Sequence, residues 1–395
     1  MNLSHLDLAI IVAYLLAMLA VGVIAERRSR GGLQDYFLGG NCMPWWLLSM
    51  SNATTMFDVS GTMWLVSLLY VYGLKSIFIP WLWPVFNQVF LMVYLSTWLR
   101  RSGALTGAEW ITLRFGDDRG AEASRVSVVL FALVSVIGFT GYAFVGIAKF
   151  AEVFLPPWLT PGQYALLIVG VTTLYTVVGG LYSVVLADVI QFFLKLACCV
   201  AIGWIALQRV SAEAIAAAVP PGWMDVTFGW RLDVDWSMLM PAMQERIDAD
   251  GYTLFGSFLM MLVFKGTAPN YDMQRILAAR SPKEASLMSG LVSVVLFAPR
   301  YFLVAGITVL ALTLLRDPAL HGHDVERILP IVIRELVPIG LKGLLIAGLL
   351  AAFMSTFSGA INAAAAYLVN DVYKRYVRTD ASDQQYVRAC YVGSL

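Results

Sequence analysis

Residues 44–70 read PWWLLSMSNATTMFDVSGTMWLVSLLY. The stretch is long enough to cross a bilayer, whose core of about 30 Å takes roughly 20 apolar residues as a helix. Its middle suits an unbroken helix in lipid poorly. Ser51, Asn52, Thr54, Thr55, Asp58, Ser60 and Gly61 cluster there, and an aspartate at mid-membrane costs about 2.5–3.5 kcal/mol on insertion scales. Gly61 weakens the helix further. Residues 254–277, LFGSFLMMLVFKGTAPNYDMQRIL, repeat the pattern with Lys265, Gly266, Pro269, Asn270 and Asp272. Pro269 removes a backbone donor and blocks a helical turn. Two interrupted spans, five spans apart, are what an inverted-repeat secondary transporter requires: freed carbonyls and half-helix ends face each other and hold ions and substrate. The alternative is a pair of ordinary kinks packed by their neighbours.

The remainder of the 395 residues agrees with a membrane setting. The chain is 59% hydrophobic and only 13% charged, with a mean hydropathy of +0.74, where a globular protein runs near a quarter charged. A net charge of +1 excludes a basic nucleic-acid-binding face. The four cysteines show no CxxC spacing, so neither a metal cage nor a disulfide framework is expected. Apolar runs predict spans at 7–25, 44–71, 77–98, 127–155, 162–182, 187–207, 253–277, 286–314 and 340–370. Arg27, Arg28 and Arg30 follow the first run, which argues for a retained span with its N-terminus outside rather than a cleaved signal. Alternating sides from there puts fifteen Lys and Arg inside against eight outside, in agreement with the positive-inside rule. DVERILPIVIREL, within the outer loop 315–339, reads as an amphipathic surface helix. A last apolar stretch begins near Ala389 and stops at Leu395; a span ending there would leave backbone groups unsatisfied, so a C-terminal truncation is expected.

The ninth span, LLIAGLLAAFMSTFSGAINAAAAYLV at 344–369, is rich in small residues that let backbones approach. Ser355 and Thr356 sit one turn after Ala352. Two hydroxyls and the Ala352 carbonyl make a hard-oxygen half-site for a small cation, and two carbonyls from a broken helix would complete five oxygens. Such hydroxyls also commonly bond back to their own helix. Neutral oxygens suit a monovalent cation, since Ca²⁺ or Mg²⁺ would want more carboxylates. Asn87 and Gln88 in the third span are candidate substrate contacts or interhelical glue. Arg300 follows Pro299 inside its span and reads as an ion-pair partner or a contact for an anionic substrate group. Lys195 reads as a same-helix neighbour of Asp188, and Lys265 as a partner for Asp58, Asp272 or substrate. The three histidines all fall in outer segments, and no metal triad, phosphate loop or nucleophile–histidine pair suggests an enzyme.

At this point the motifs resemble the sodium/solute symporter family of sodium-coupled sugar, proline, pantothenate and monocarboxylate carriers. DYFLGGNCMPWW (35–46), TGAEWITLRFG (106–116), GGLYSVVLADVIQ (179–191), GTAPNYDMQRILAAR (266–280) and AAFMSTFSG followed by NDVYKRY (351–376) carry the match, in order, over nearly the whole chain. The resemblance implies an all-α multi-span membrane protein with a five-plus-five inverted-repeat transporter fold and an extra N-terminal helix. Residues 1–395 would form one transmembrane domain: 7–25 the extra helix, 44–207 the first repeat and 253–395 an incomplete, C-terminally truncated second repeat. It implies sodium-coupled symport of a small organic solute (sugar, amino acid or carboxylate) by alternating access in the cell membrane. Na⁺ would be the co-transported ion, with no organic cofactor.

Carried residue by residue, the resemblance places the sodium ligands on the carbonyls of Met56, Val59 and Ala352 and the hydroxyls of Ser355 and Thr356. Asp58 matches a polar position that supports coupling in proline carriers and lies near substrate in sugar carriers. Asp188 matches the signature aspartate that modulates cation coupling. Asn270 and Tyr271 fall in the substrate-facing stretch of the broken sixth core helix. Ala187 stands where a Thr or Ser is usual, which takes away a hydroxyl that a second cation site would use. Pro269 replaces a polar residue common in sugar carriers. Proton coupling through Asp58 or Asp188 is the alternative to sodium. A sensor domain of the same fold, joined to a signalling domain beyond Leu395, is the alternative to a carrier, and a channel is a third reading.

Overall fold

A computed structural model describes residues 3–26, 32–155, 157–227, 234–250, 273–315 and 325–394, with backbone alone at 80–85, 242, 246, 249 and 250. The predicted interruption at 254–272 and the predicted site residues Asn270 and Tyr271 lie outside the described residues. Eleven helices carry the argument. They are α1 (His5–Ala25), α2 (Trp45–Met56), α3 (Val59–Tyr72), α4 (Phe78–Phe90), α5 (Arg119–Phe154), α6 (Pro161–Arg209), α7 (Met273–Ala278), α8 (Pro282–Leu314), α9 (Ile328–Leu336), α10 (Leu341–Ala366) and α11 (Asp383–Gly393). Between named helices, the described residues hold no strand beyond a single bridge from Met43 to Ala279.

At the centre of the bundle stands α6, which packs along α10, α8 and α1, while α2 lies in the groove between α6, α8 and α10. At 49 residues α6 exceeds what one crossing needs. It joins the two predicted spans through one non-helical residue, Gly180, at φ 54° and ψ −153°. A Cβ there would stand 2.5 Å from the Tyr36 carbonyl, so the glycine permits both the left-handed turn and the close approach. The other signature segments brace the same end. Asn41 donates to the Leu277 carbonyl at 2.6 Å and Arg280 to the Cys42 carbonyl at 2.7 Å. Arg125 pairs with Asp371 at 2.7 Å, tying α5 to the turn that continues α10.

Lipid-facing surface is visible as apolar exposure. Leu130, Phe131, Val134, Ile137 and Val145 form an exposed stripe along α5, with the helical spacing of a face turned toward hydrocarbon. By contrast, α10 is buried nearly all round, as its small residues require. The expected surface helix near 328–336 is more deeply seated than an interfacial helix. Ile328–Ile333 are all buried, against α8, α5 and α3, and only its C-terminal Arg334 and Glu335 reach outward.

The segment after α6 closes the end of α3. The indoles of Trp223 and Trp236 are buried and donate to the carbonyls of Tyr70 (3.1 Å) and Val71 (2.8 Å), which the helix end leaves without intrahelical partners. Gly73 turns the chain at φ 71°, and a Cβ there would lie 2.3 Å from the Trp223 carbonyl oxygen. Lys75 pairs with Asp225 at 3.0 Å. The amide and hydroxyl of Thr227, with Lys75, hold the Asp225 carboxyl down at about 2. Trp236→Ala should remove about 3–5 kcal/mol of packing and one carbonyl partner; a clear fall in the thermal unfolding temperature of the detergent-purified protein checks it.

Candidate cation and substrate site

Helix α2 stops at Met56, and Phe57 takes φ −93° and ψ 73°. Asp58 then caps α3, its carboxylate accepting the Gly61 N–H at 2.6 Å. A break at this depth frees the last carbonyls of α2. Facing them, α10 presents the Ser355–Thr356 pair. The Ser355 hydroxyl lies 2.8 Å from the Thr54 carbonyl and 3.3 Å from that of Ala352, and Thr356 donates to the carbonyls of Thr55 (2.6 Å) and Ala352 (3.0 Å). The two hydroxyls therefore bridge to the broken helix as well as bonding back to their own. Ser355 and Thr356 thus face the last helical turn of α2, at Thr54 and Thr55, just before the break.

A basic side chain completes this cluster. The Lys195 ammonium, from α6, donates to the Thr54 carbonyl at 2.8 Å, the Phe57 carbonyl at 3.2 Å and the Ser355 hydroxyl at 3.1 Å. It also stands 5.3 Å from the centre of the Phe57 ring. The Met56 carbonyl, named as a sodium ligand, accepts instead from Arg300 at 3.2 Å. Among the described residues the hydroxyls of Ser355 and Thr356 bond to the carbonyls of Thr54, Thr55 and Ala352 and not to that of Val59. Asp58 pairs with Arg300 at 3.3 Å, and Arg300 also donates to Thr62 at 3.0 Å. Of the two readings of Arg300, the structure shows the ion pair, with Asp58 as its partner.

Two turns before Lys195 on the same face of α6 lies Asp188, fully buried. Its carboxylate accepts from Ser51 at 2.5 Å and pairs with Arg275 at 3.1 Å. Arg275 further donates to Ser51 (2.8 Å) and Thr55 (2.5 Å). Asp188 therefore stands one storey away from the Ser355–Thr356 cluster, tied to it through α2. Asn87 and Gln88 are buried on α4, and Asn87 Oδ1 and both polar atoms of the Gln88 amide find no partner among the described residues; neither does the Asn52 amide on α2. Buried amides without partners are costly, and a polar ligand would satisfy them.

Sequence reasoning passed over Lys195 and Arg275 as site residues. The signal for Lys195 was present: one charge in the apolar run FFLKLACCV, seven residues from Asp188 and so on its face of the helix. Arg275 was counted with the inner-side positive charges, yet it is 1% exposed.

The family model for the sodium:solute symporter family matches residues 36–395. The chain belongs to this family. Among its curated relatives are a sodium/glucose cotransporter 4 of Danio rerio, 25% identical over 97% of this chain and 60% of its own length, and the sodium/sialic acid symporter of Proteus mirabilis, 25% identical over 97% and 74%. The sodium/glucose cotransporter of Vibrio parahaemolyticus is 24% identical over 98% and 72%. The chain spans about six-tenths of the length of the first of these relatives. The substrate-bound outward-open structure of a Na⁺-coupled sialic acid symporter superposes with a TM-score of 0.80 at 22% identity, covering 99% of this chain and 78% of that one. The all-helical inverted-repeat fold expected from the sequence is therefore the fold of this chain, and it is an integral membrane protein among carriers rather than enzymes.

Removing the charge of Asp188 leaves Arg275 buried and unpaired, a loss of about 3–5 kcal/mol. Asp188→Asn should reduce folded protein in the membrane, and Asp188→Asn with Arg275→Gln should recover much of it; fluorescence size-exclusion of tagged protein reads both. Asp58→Asn keeps an oxygen for the Gly61 N–H and leaves Arg300 its bonds to the Met56 and Asp58 carbonyls and the Thr62 hydroxyl, so abundance should fall less than in Asp188→Asn while ion dependence of uptake changes.

Proposed function

We propose that this chain carries out sodium-coupled symport of a small organic solute across the cell membrane by alternating access, with its N-terminus outside. In this reading residues 44–207 supply one repeat and 253–395 belong to the other. The single observation behind it is the oxygen cluster at the α2–α3 break: carbonyls of Thr54, Thr55 and Phe57 face the Ala352 carbonyl and the hydroxyls of Ser355 and Thr356. Neutral hard oxygens at a helix break, between two elements of the bundle, fit a monovalent cation that biases how those elements pack. The ion shifts the equilibrium only by its differential affinity for the outward and inward states.

The solute would sit beside this cluster. Asn52, Asn87 and Gln88 offer unpartnered amide groups on the described side, and Asn270 and Tyr271 would add the sixth core helix. Asp58 then acts as coupling residue, fixing the start of α3 and the Arg300 guanidinium together. Asp188 supports coupling from the storey below. The energetics suffice for accumulation. One charge moving inward gains about 2.3 kcal/mol per 100 mV, and a tenfold sodium gradient adds about 1.4 kcal/mol. Together they support a solute ratio of roughly several hundred-fold.

A sodium-dependent uptake screen in proteoliposomes, across sugars, amino acids and carboxylates, tests the reading. Ser355→Ala with Thr356→Ala should raise the sodium concentration for half-maximal uptake by about tenfold or more, as expected when two of the six oxygens of that cluster are withdrawn and each factor of ten is about 1.4 kcal/mol. An unchanged sodium dependence would reject the site.

A further inference from the structure

We propose that the ammonium of Lys195 is a tethered cation that competes with Na⁺ for the oxygen cage between α2 and α10, so that sodium enters only as the lysine leaves. The inference rests on reading Na⁺ as the ion of this site.

Its first ground is stoichiometric. An ammonium has three N–H donors and no acceptor, and this one has three acceptors: the Thr54 carbonyl, the Phe57 carbonyl and the Ser355 hydroxyl. Two of the three, Thr54 and Ser355, are the groups that join the broken helix to α10. The lysine thus stands within the cage rather than beside it. Its charge is met by neutral oxygen and by the face of Phe57 at 5.3 Å, the same kind of environment that receives a small monovalent ion. Among the described residues no carboxylate forms an ion pair with it. Asp188 is engaged by Arg275, and Asp58 by Arg300. Among the described residues, the hydrogen bonds that hold the ammonium all go to the cage.

The second ground is electrostatic. Lys195 is 3% exposed, and two positive charges within one buried cage repel strongly because little solvent screens them. Occupancy by lysine and by sodium is then mutually exclusive. The third ground is the side chain itself, a compact charge on a flexible four-carbon stem that can reach other positions as its rotamers change. With the ammonium in place, α2 is held against α10 without sodium.

Binding of radiolabelled sodium to the purified full chain, with choline as the replacement ion, tests this. Lys195→Met and Lys195→Gln should bind sodium at least tenfold more tightly than the natural chain, and Ser355→Ala in the Lys195→Met background should remove that gain. Equal affinity with and without the lysine, or a gain that survives Ser355→Ala, overturns the competition and leaves the sodium reading standing. Binding by the variants with none by the natural chain supports the lysine as the occupant and overturns sodium coupling in the natural chain. Absence of binding in all of them overturns both. Should the variants fail to fold, the natural chain still decides. Reductive methylation of Lys195, read by peptide mass spectrometry, should be faster in sodium than in choline at equal ionic strength, and equal rates overturn the competition.

Discussion

A backbone carbonyl inside a bilayer must find a donor or a cation, because no water is there to serve it. Breaking the first core helix at Phe57–Asp58 creates several such carbonyls at once. The rest of the site can be read as the set of groups recruited to them. Two hydroxyls arrive from α10, an ammonium from α6 and a guanidinium from α8. Each comes from a different element, so the break is the point through which α2, α6, α8 and α10 are energetically joined. A change in what occupies it is felt by all four.

Charge follows the same logic. Around the break stand three basic groups, Arg275, Lys195 and Arg300, and two acidic ones, Asp188 and Asp58. Each arginine takes a carboxylate, and the lysine is left to neutral oxygen. Two like charges about 4 Å apart repel by about 4 kcal/mol at an effective dielectric constant of about 20. That is comparable with the few kcal/mol that separate two conformations of a protein. The described groups around the break thus carry an excess of one positive charge, and it lies on Lys195.

Much of this was legible in the sequence because lipid makes composition decisive. Apolar runs of span length marked helices, polar residues within them marked the break at Asp58, and the Ser355–Thr356 pair stands against the last turn before it. What remained hidden was phase. Each residue turns a helix by about 100°, so the carbonyls that meet Ser355 and Thr356 are those of Thr54 and Thr55, while that of Met56, one residue on, points to Arg300. A motif match does not resolve such a step. Partners across helices were hidden too. The spacing of Asp188 and Lys195 shows that they share a face, but which neighbouring helix covers each is a matter of packing. The seat of Ile328–Ile333 was misjudged for a like reason, since an amphipathic face reads the same whether it meets lipid headgroups or other helices.

The two indoles over the end of α3 have a mechanical consequence. Trp223 and Trp236 grip the Tyr70 and Val71 carbonyls, and α3 is the half of the first core helix that leads away from the break. Were α3 to tilt about Phe57, it would either tear both grips or carry the extramembrane segment along like a lid on a lever. The position of that segment is thereby mechanically geared to the torsion of a single residue, Phe57, at the break between α2 and α3.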